Sequence, residues 1–137
     1  MSVNTKREKR RQASLERAYW HVREVMQFLG RAVADARVPE FLPEDCYYGA
    51  QLVQAVQNKH SLTVWGLFLR SGNYVMVRNG DSVYMEETLY HEVCHANQPY
   101  EDETDIPYWE RPREIEAREI AAIAFKLRRV PRAEWTV

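Results

Sequence analysis

Apolar residues recur every three or four positions from Leu15 through Ala18, Tyr19, Val22, Val25, Met26 and Leu29 to Val33. That period predicts an amphipathic helix beginning near Ser14. Gly30 weakens its end, and Pro39 and Pro43 close the segment. Positions 44–58 read two ways: Gln51, Gln54 and Gln57 recur at helical spacing beside Leu52, Val53 and Val56, yet the same residues suit a strand. Leu62 to Arg70 is rich in β-branched and aromatic residues, Ser71-Gly72-Asn73 suits a turn, and Tyr74 to Arg78 alternates again. This pattern predicts a β-hairpin. Asn79-Gly80-Asp81 ends it, and Asp81 or Ser82 suits the N-cap of a helix that runs to about Gln98 and stops at Pro99. Beyond an acidic stretch, Pro112 fits the first turn of a last helix, where its missing N–H costs nothing. That helix carries Ala117, Ile120, Ala121, Ile123, Ala124, Phe125 and Leu127 on one broad face and ends at Pro131. The expected fold class is α+β, with a small antiparallel sheet (hairpin 62–78) packed on the N-terminal helix and the two later helices.

Composition and charge refine this picture. A chain of 137 residues, 45% hydrophobic and 28% charged, is an ordinary globular domain with room for one core. The net charge of −1 shows no overall bias toward nucleic acid or membrane. It is unevenly spread: residues 1–13 carry a net +4 through Lys6, Arg7, Lys9, Arg10 and Arg11 against Glu8. They read as a basic flexible arm before a single domain over 14–137. Contact between this arm and nucleic acid is the lesser reading, because a solvated charge run is commoner and no aromatic residue is interleaved for base stacking. No apolar run has the length of a membrane span, and the polar N-terminus has no secretory signal pattern. With Cys46 and Cys94 alone there is no disulfide framework, so a reducing cytoplasm is the expected setting.

The chemistry concentrates in His91-Glu92-Val93-Cys94-His95, an HExxH pentapeptide. Residues four apart on a helix lie on one face, so His91 and His95 can turn an imidazole nitrogen to one ion. Glu92 is rotated about 100° away. It suits a general base on a zinc-bound water, whose pKa the metal lowers to about 7. Such a pentapeptide arises by chance in roughly one chain of this kind in a hundred, so its placement on a helix after a hairpin matters. Apolar Leu89 and Val93 bury the helix's other side. A catalytic zinc needs a third protein ligand. No histidine follows His95, which excludes the metzincin pattern, and the later acids are Glu101, Asp102, Glu103, Asp105, Glu110, Glu114, Glu116 and Glu119. Glu114 and Glu116 fall at opposite borders of the last helix's apolar face, so periodicity does not choose between them.

Across about residues 62–128, the order hairpin, HEVCH helix, loop and Glu114-Ile115-Glu116-Ala117 resembles the gluzincin metallopeptidases, above all the small ImmA/IrrE-like members and minigluzincins. The resemblance implies a zinc-dependent endopeptidase holding Zn²⁺ through His91, His95 and Glu114, with Ala117 as the small residue that lets two helices approach. It also implies that an edge strand pairs with an extended protein or peptide substrate. The chain departs from the pattern at Arg118, where an Asp or Asn often supports a ligand histidine, so another group must orient that histidine. For the oxyanion of the attacked carbonyl, Tyr108 is the first choice ahead of Tyr100 and Arg111. Cys94 reads as a buried small hydrophobe, and His21 and His60 as bystanders. The alternative function is a catalytically weak or inactive zinc-binding regulatory or interaction module on the same scaffold.

Overall fold

A computed structural model describes residues 6–35, 37–43, 47–61, 63–78 and 83–136. Its elements are α1 (Lys6–Phe28), β1 (Glu40–Phe41), α2 (Tyr47–His60), β2 (Gly66–Leu69), β3 (Tyr74–Val77), α3 (Val83–Asn97) and α4 (Pro112–Leu127), with short 3-10 turns at Tyr108–Glu110 and Arg132–Glu134. The class is α+β, as the periodicities predict. Among the described residues, no helix is long and apolar enough to cross a membrane.

The apolar stripe of α1 does what its period requires: Leu15, Ala18, Tyr19, Val22, Val25 and Met26 are all buried. The helix ends sooner than Val33 because Gly30 adopts a left-handed φ of 72°. Arg31 N–H then donates to the Met26 carbonyl (2.8 Å) and Gly30 N–H to that of Gln27 (3.0 Å), a Schellman closure that satisfies the last carbonyls. At its other end α1 begins at Lys6, within the stretch read as a basic arm, so residues 6–13 are helical. One contact of that stretch reaches the strand β1, and periodicity does not reveal it. The Gln12 amide donates to the Pro39 carbonyl (3.1 Å) and accepts from Phe41 N–H (2.8 Å), tying α1 to β1. Only residues 1–5 of the arm lie outside the described residues, as do the expected cap at Asp81 or Ser82 and Cys46.

The hairpin forms in antiparallel register, with Phe68 opposite Val75 and Leu67 opposite Met76. Asn73 takes the left-handed turn position (φ 54°). The sheet is nevertheless mixed rather than purely antiparallel, because β1 joins the far side of β3 in parallel, giving the order β1-β3-β2. Strand β2 is therefore an edge. Alternation along β3 serves two layers: Val75 and Val77 enter the main core with α1, α3 and α4, while Met76 packs with Val53 and Val64 in a smaller cluster. That smaller cluster settles the ambiguous segment as a helix, with Leu52, Val53 and Val56 facing the sheet.

Three helices bury most of the core, and the polar side chain of Asn97 sits among them. Asn97, fully buried at the end of α3, donates to the carbonyls of Tyr19 (3.2 Å) and Val93 (3.0 Å) and accepts from Arg23 Nη1 (3.1 Å). Arg23 Nη1 also donates to the Ala34 carbonyl (2.7 Å), so the chain leaving α1 is pinned to the end of α3. Removing one member of such a network strands the others. Asn97→Ala is expected to destabilise the fold by about 2–4 kcal/mol. Urea unfolding of the variant checks this, and an unchanged midpoint would contradict it.

Candidate metal centre

Helix α3 delivers His91 and His95 one turn apart, with ring centroids 4.9 Å apart and planes at 78°. Helix α4 supplies the third group. In its first turn, Glu114 Oε2 lies 3.0 Å from His91 Nε2 and Oε1 lies 2.7 Å from His95 Nε2. The approach depends on small residues: Ala117, Ala121 and Ala124 are buried on the face that α4 turns to the core. Its N-terminus is set by Pro112 and by Glu103, a buried carboxylate that accepts from Arg113 N–H at 3.3 Å through each oxygen. A carboxylate at that end also suits the helix dipole.

The other acids of the ligand list are placed elsewhere. Glu103 caps α4, Asp102 accepts from Thr104 (2.7 Å), and Glu119 pairs with Arg31. Glu101, Asp105 and Glu110 are exposed. Glu116, which periodicity left equal to Glu114, turns to Arg31 (3.1 Å) and Gln98 (3.0 Å).

Glu92 lies beside the three. His91, Glu92 and His95 offer ligand atoms that all fall within 4.8 Å of one another. Its carboxylate is 7% exposed and backs onto the edge strand. There Gly66 is required: a Cβ at that position would stand 2.7 Å from Thr88 Cγ2 and 3.0 Å from Glu92 Cγ and Oε2. Burial pushes the Glu92 carboxyl up to about 7, opposed by nearby His91 and assisted by the Glu114 charge. For Glu114, burial acts upward too, but hydrogen bonds from His91 and His95 outweigh it and hold the carboxyl well below the usual range.

The proton positions around His95 follow from its neighbours. Gln98 sits one turn on and is 5% exposed. One end of its amide faces the Arg113 carbonyl (2.9 Å) and Glu116 Oε1 (3.0 Å), two groups that only accept. That end must be the NH₂, so Gln98 Oε1 is the atom 2.7 Å from His95 Nδ1, and His95 Nδ1–H donates to it. In the neutral ring the Nε2 lone pair then faces Glu114 Oε1 at 2.7 Å, and Nε2 is a buried atom without a hydrogen-bond donor of its own. Two acceptors hold that separation only with positive charge between or upon them, an imidazolium proton or a bound cation. The residues fit a metal on this ground, and two imidazoles with one carboxylate are a donor set suited to zinc.

A cavity of about 570 Å³ opens over the cluster, walled by Trp65, Gly66 and Phe68 of the β2 side, by Tyr108 and Trp109, and by His60 from α2. Tyr108 is hydrogen-bonded to Glu114, and burial, with the charges of Glu114 and Glu92 and that bond, pushes its hydroxyl far up and keeps it protonated. Its ring meets His60 at 5.1 Å. Of its two rivals, Tyr100 lies exposed under Arg70 and Arg111 Nε donates to the Ile106 carbonyl (2.9 Å). Arg118 supports no histidine; it stacks on Trp109 at 5.2 Å and donates to that residue's carbonyl (3.1 Å). Cys94 is buried against Met26, and burial pushes its thiol up, so the reading as a small hydrophobe stands.

Sequence reasoning passed over three residues here. Gln98 was legible as a polar residue three on from His95, hence on its face. Gly66 was legible as a strand glycine, a frequent mark of close approach. His60, read as a bystander, reaches the cavity wall only through the placement of α2.

For a zinc held by His91, His95 and Glu114, His95→Ala or Glu114→Ala is expected to weaken binding by at least ~10²-fold, since each would remove one of three ligands. Glu116→Ala should cost less. Competition against a chromophoric chelator measures this, and equal losses at Glu114 and Glu116 would contradict the assignment. No protein-family model, curated protein or solved structure matches this chain.

Proposed function

We propose that this chain is a zinc-dependent peptidase of the gluzincin type. One observation carries the reading: Glu114, from a different helix, sets one carboxylate oxygen 3.0 Å from His91 Nε2 and the other 2.7 Å from His95 Nε2. Glu92 stands free of that pairing at the wall of an open cavity. His91, His95 and Glu114 would hold the ion. When bound, zinc supplies a Lewis acid that acidifies water and polarises a carbonyl at its open position.

The chain's own residues supply the rest. Glu92, with a carboxyl near 7, accepts a proton at neutral pH and returns it to the leaving amine. Its burial between α3 and Gly66 holds the carboxylate in one place, which is what general-base transfer needs. Tyr108 keeps its proton and donates toward the oxyanion of the attacked carbonyl. The exposed edge β2 offers unpaired backbone groups beside the cluster, so an extended peptide adds there as a further strand.

One observation favours a second reading. Glu92 also has an oxygen within 4.8 Å of the histidine nitrogens. As a fourth ligand it would close the ion's coordination, giving a regulatory or interaction module with a structural zinc.

Glu92→Gln separates the two. For the peptidase, the variant keeps zinc affinity within about threefold and loses hydrolysis of a quenched peptide library by ~10³-fold or more. For the module, zinc affinity falls and the parent cleaves nothing in the same library. Tyr108→Phe is expected to lower kcat by ~10–10³-fold with zinc affinity unchanged; an unaltered kcat would remove Tyr108 from the mechanism.

A further inference from the structure

The two histidines are not held alike. His95 Nδ1–H donates to Gln98 Oε1 at 2.7 Å, whereas among the described residues His91 Nδ1 has no such partner. An imidazole left to itself carries its proton on either nitrogen, and a proton on Nε2 blocks that atom as a ligand. Fixing the proton on Nδ1 readies Nε2 in advance.

What fixes it extends well beyond Gln98. The Gln98 amide cannot turn round, because its NH₂ end is claimed by the Arg113 carbonyl at 2.9 Å and Glu116 Oε1 at 3.0 Å. Glu116 is in turn held by Arg31 Nη1 at 3.1 Å through its other oxygen, and Arg31 also pairs with Glu119. Arg31 points back to α4 because Gly30, at φ 72°, reverses the chain at the end of α1. A continuous path therefore runs from the end of α1 through α4 to the last turn of α3.

We propose that Gln98, held by Glu116 and Arg31, is the positioning residue that sets the tautomer of His95 and so readies its Nε2 for metal. This rests on the reading of His91, His95 and Glu114 as the metal-holding set. It also supplies the orienting group that Arg118 does not. Influence falls along the path, since Gln98 touches the ring and is buried, whereas Arg31 is 35% exposed and its ion pairs are screened by water.

The test uses the full-length chain, ¹⁵N-labelled at histidine, stripped of metal and held at about pH 8, where a free imidazole is neutral. In the parent, His95 is expected to show a protonated Nδ1, held by Gln98, and His91 a protonated Nε2, the atom that meets Glu114 Oε2. A parent His95 with an unprotonated Nδ1 overturns the proposal without any variant. Gln98→Leu should average the His95 nitrogens and weaken zinc binding by ~10–100-fold; Arg31→Met should change affinity by no more than about threefold. The exchange Gln98→Glu with Glu116→Gln keeps an acceptor at His95 Nδ1 and a bond to Arg31, while setting a carboxylate oxygen against the Arg113 carbonyl. It is expected to restore the Nδ1–H signature and to recover part of the zinc affinity lost in Gln98→Leu. Parent-like signals and affinity in Gln98→Leu, or an exchange no better than that variant, overturns the proposal. If His95→Ala and Glu114→Ala themselves bind zinc like the parent, the metal reading fails instead, and the tautomer measurement on the parent still judges Gln98.

Discussion

Close contact between α3 and α4 is the constraint on which the site depends. The HExxH face of α3 carries two nitrogens, and Glu92, about 100° round that helix, lies beside them rather than between them. The group that meets both nitrogens comes from another helix, near enough for Glu114 to span the gap. Buried alanines at 117, 121 and 124 let α4 lie close, and a proline and a remote carboxylate, Glu103, hold its first turn where Glu114 can reach. A large side chain at 117 would widen the seam and withdraw Glu114 from both histidines.

That closeness has an electrostatic consequence. Glu114 and Glu92 bring two carboxylates into a buried region, and the fold treats them oppositely. Glu114 is met by both imidazoles and stays ionised; Glu92 is met chiefly by apolar surroundings and a glycine backbone, so its carboxyl rises to about 7. Two acids driven apart in this way suit different tasks, one to hold positive charge and one to exchange a proton.

Beneath this layer lies a polar scaffold in a mostly apolar core. Asn97 and Gln98 are neighbours at the end of α3 with separate duties: Asn97 ties the helix to α1, and Gln98 faces His95. Asn97 meets the segment that follows the left-handed Gly30 at Ala34, and Gln98 is linked to it through Glu116 and Arg31. The end of α1 thus positions the site's support without touching the site, which explains why an N-terminal helix remote from the motif in sequence belongs to the same unit.

Much of this was legible in the residues themselves. The period of α1, the hairpin, and the pairing of His91 with His95 follow from local rules, because a helix or strand fixes which neighbours share a face. The α+β class followed from those elements, whereas which strand forms the sheet's edge could not be read from them. What local rules do not contain is which distant side chains meet. Glu114 and Glu116 were equal on the wheel, and only the packing of α4 on α3 separated them, one to the histidines and the other to Arg31 and Gln98. The contact of Gln12 with β1, the mixed sheet made by a two-residue strand too short to announce itself, and the nearness of His60 through the seating of α2 are likewise tertiary. Sequence alone thus determined the elements and the placing of two histidines on one helix face, because those depend on residues within a turn of each other. Tertiary structure decided that Glu114 meets both histidines, that Gln98 meets His95 and that Glu92 is buried, because each depends on groups that only the folded chain brings together.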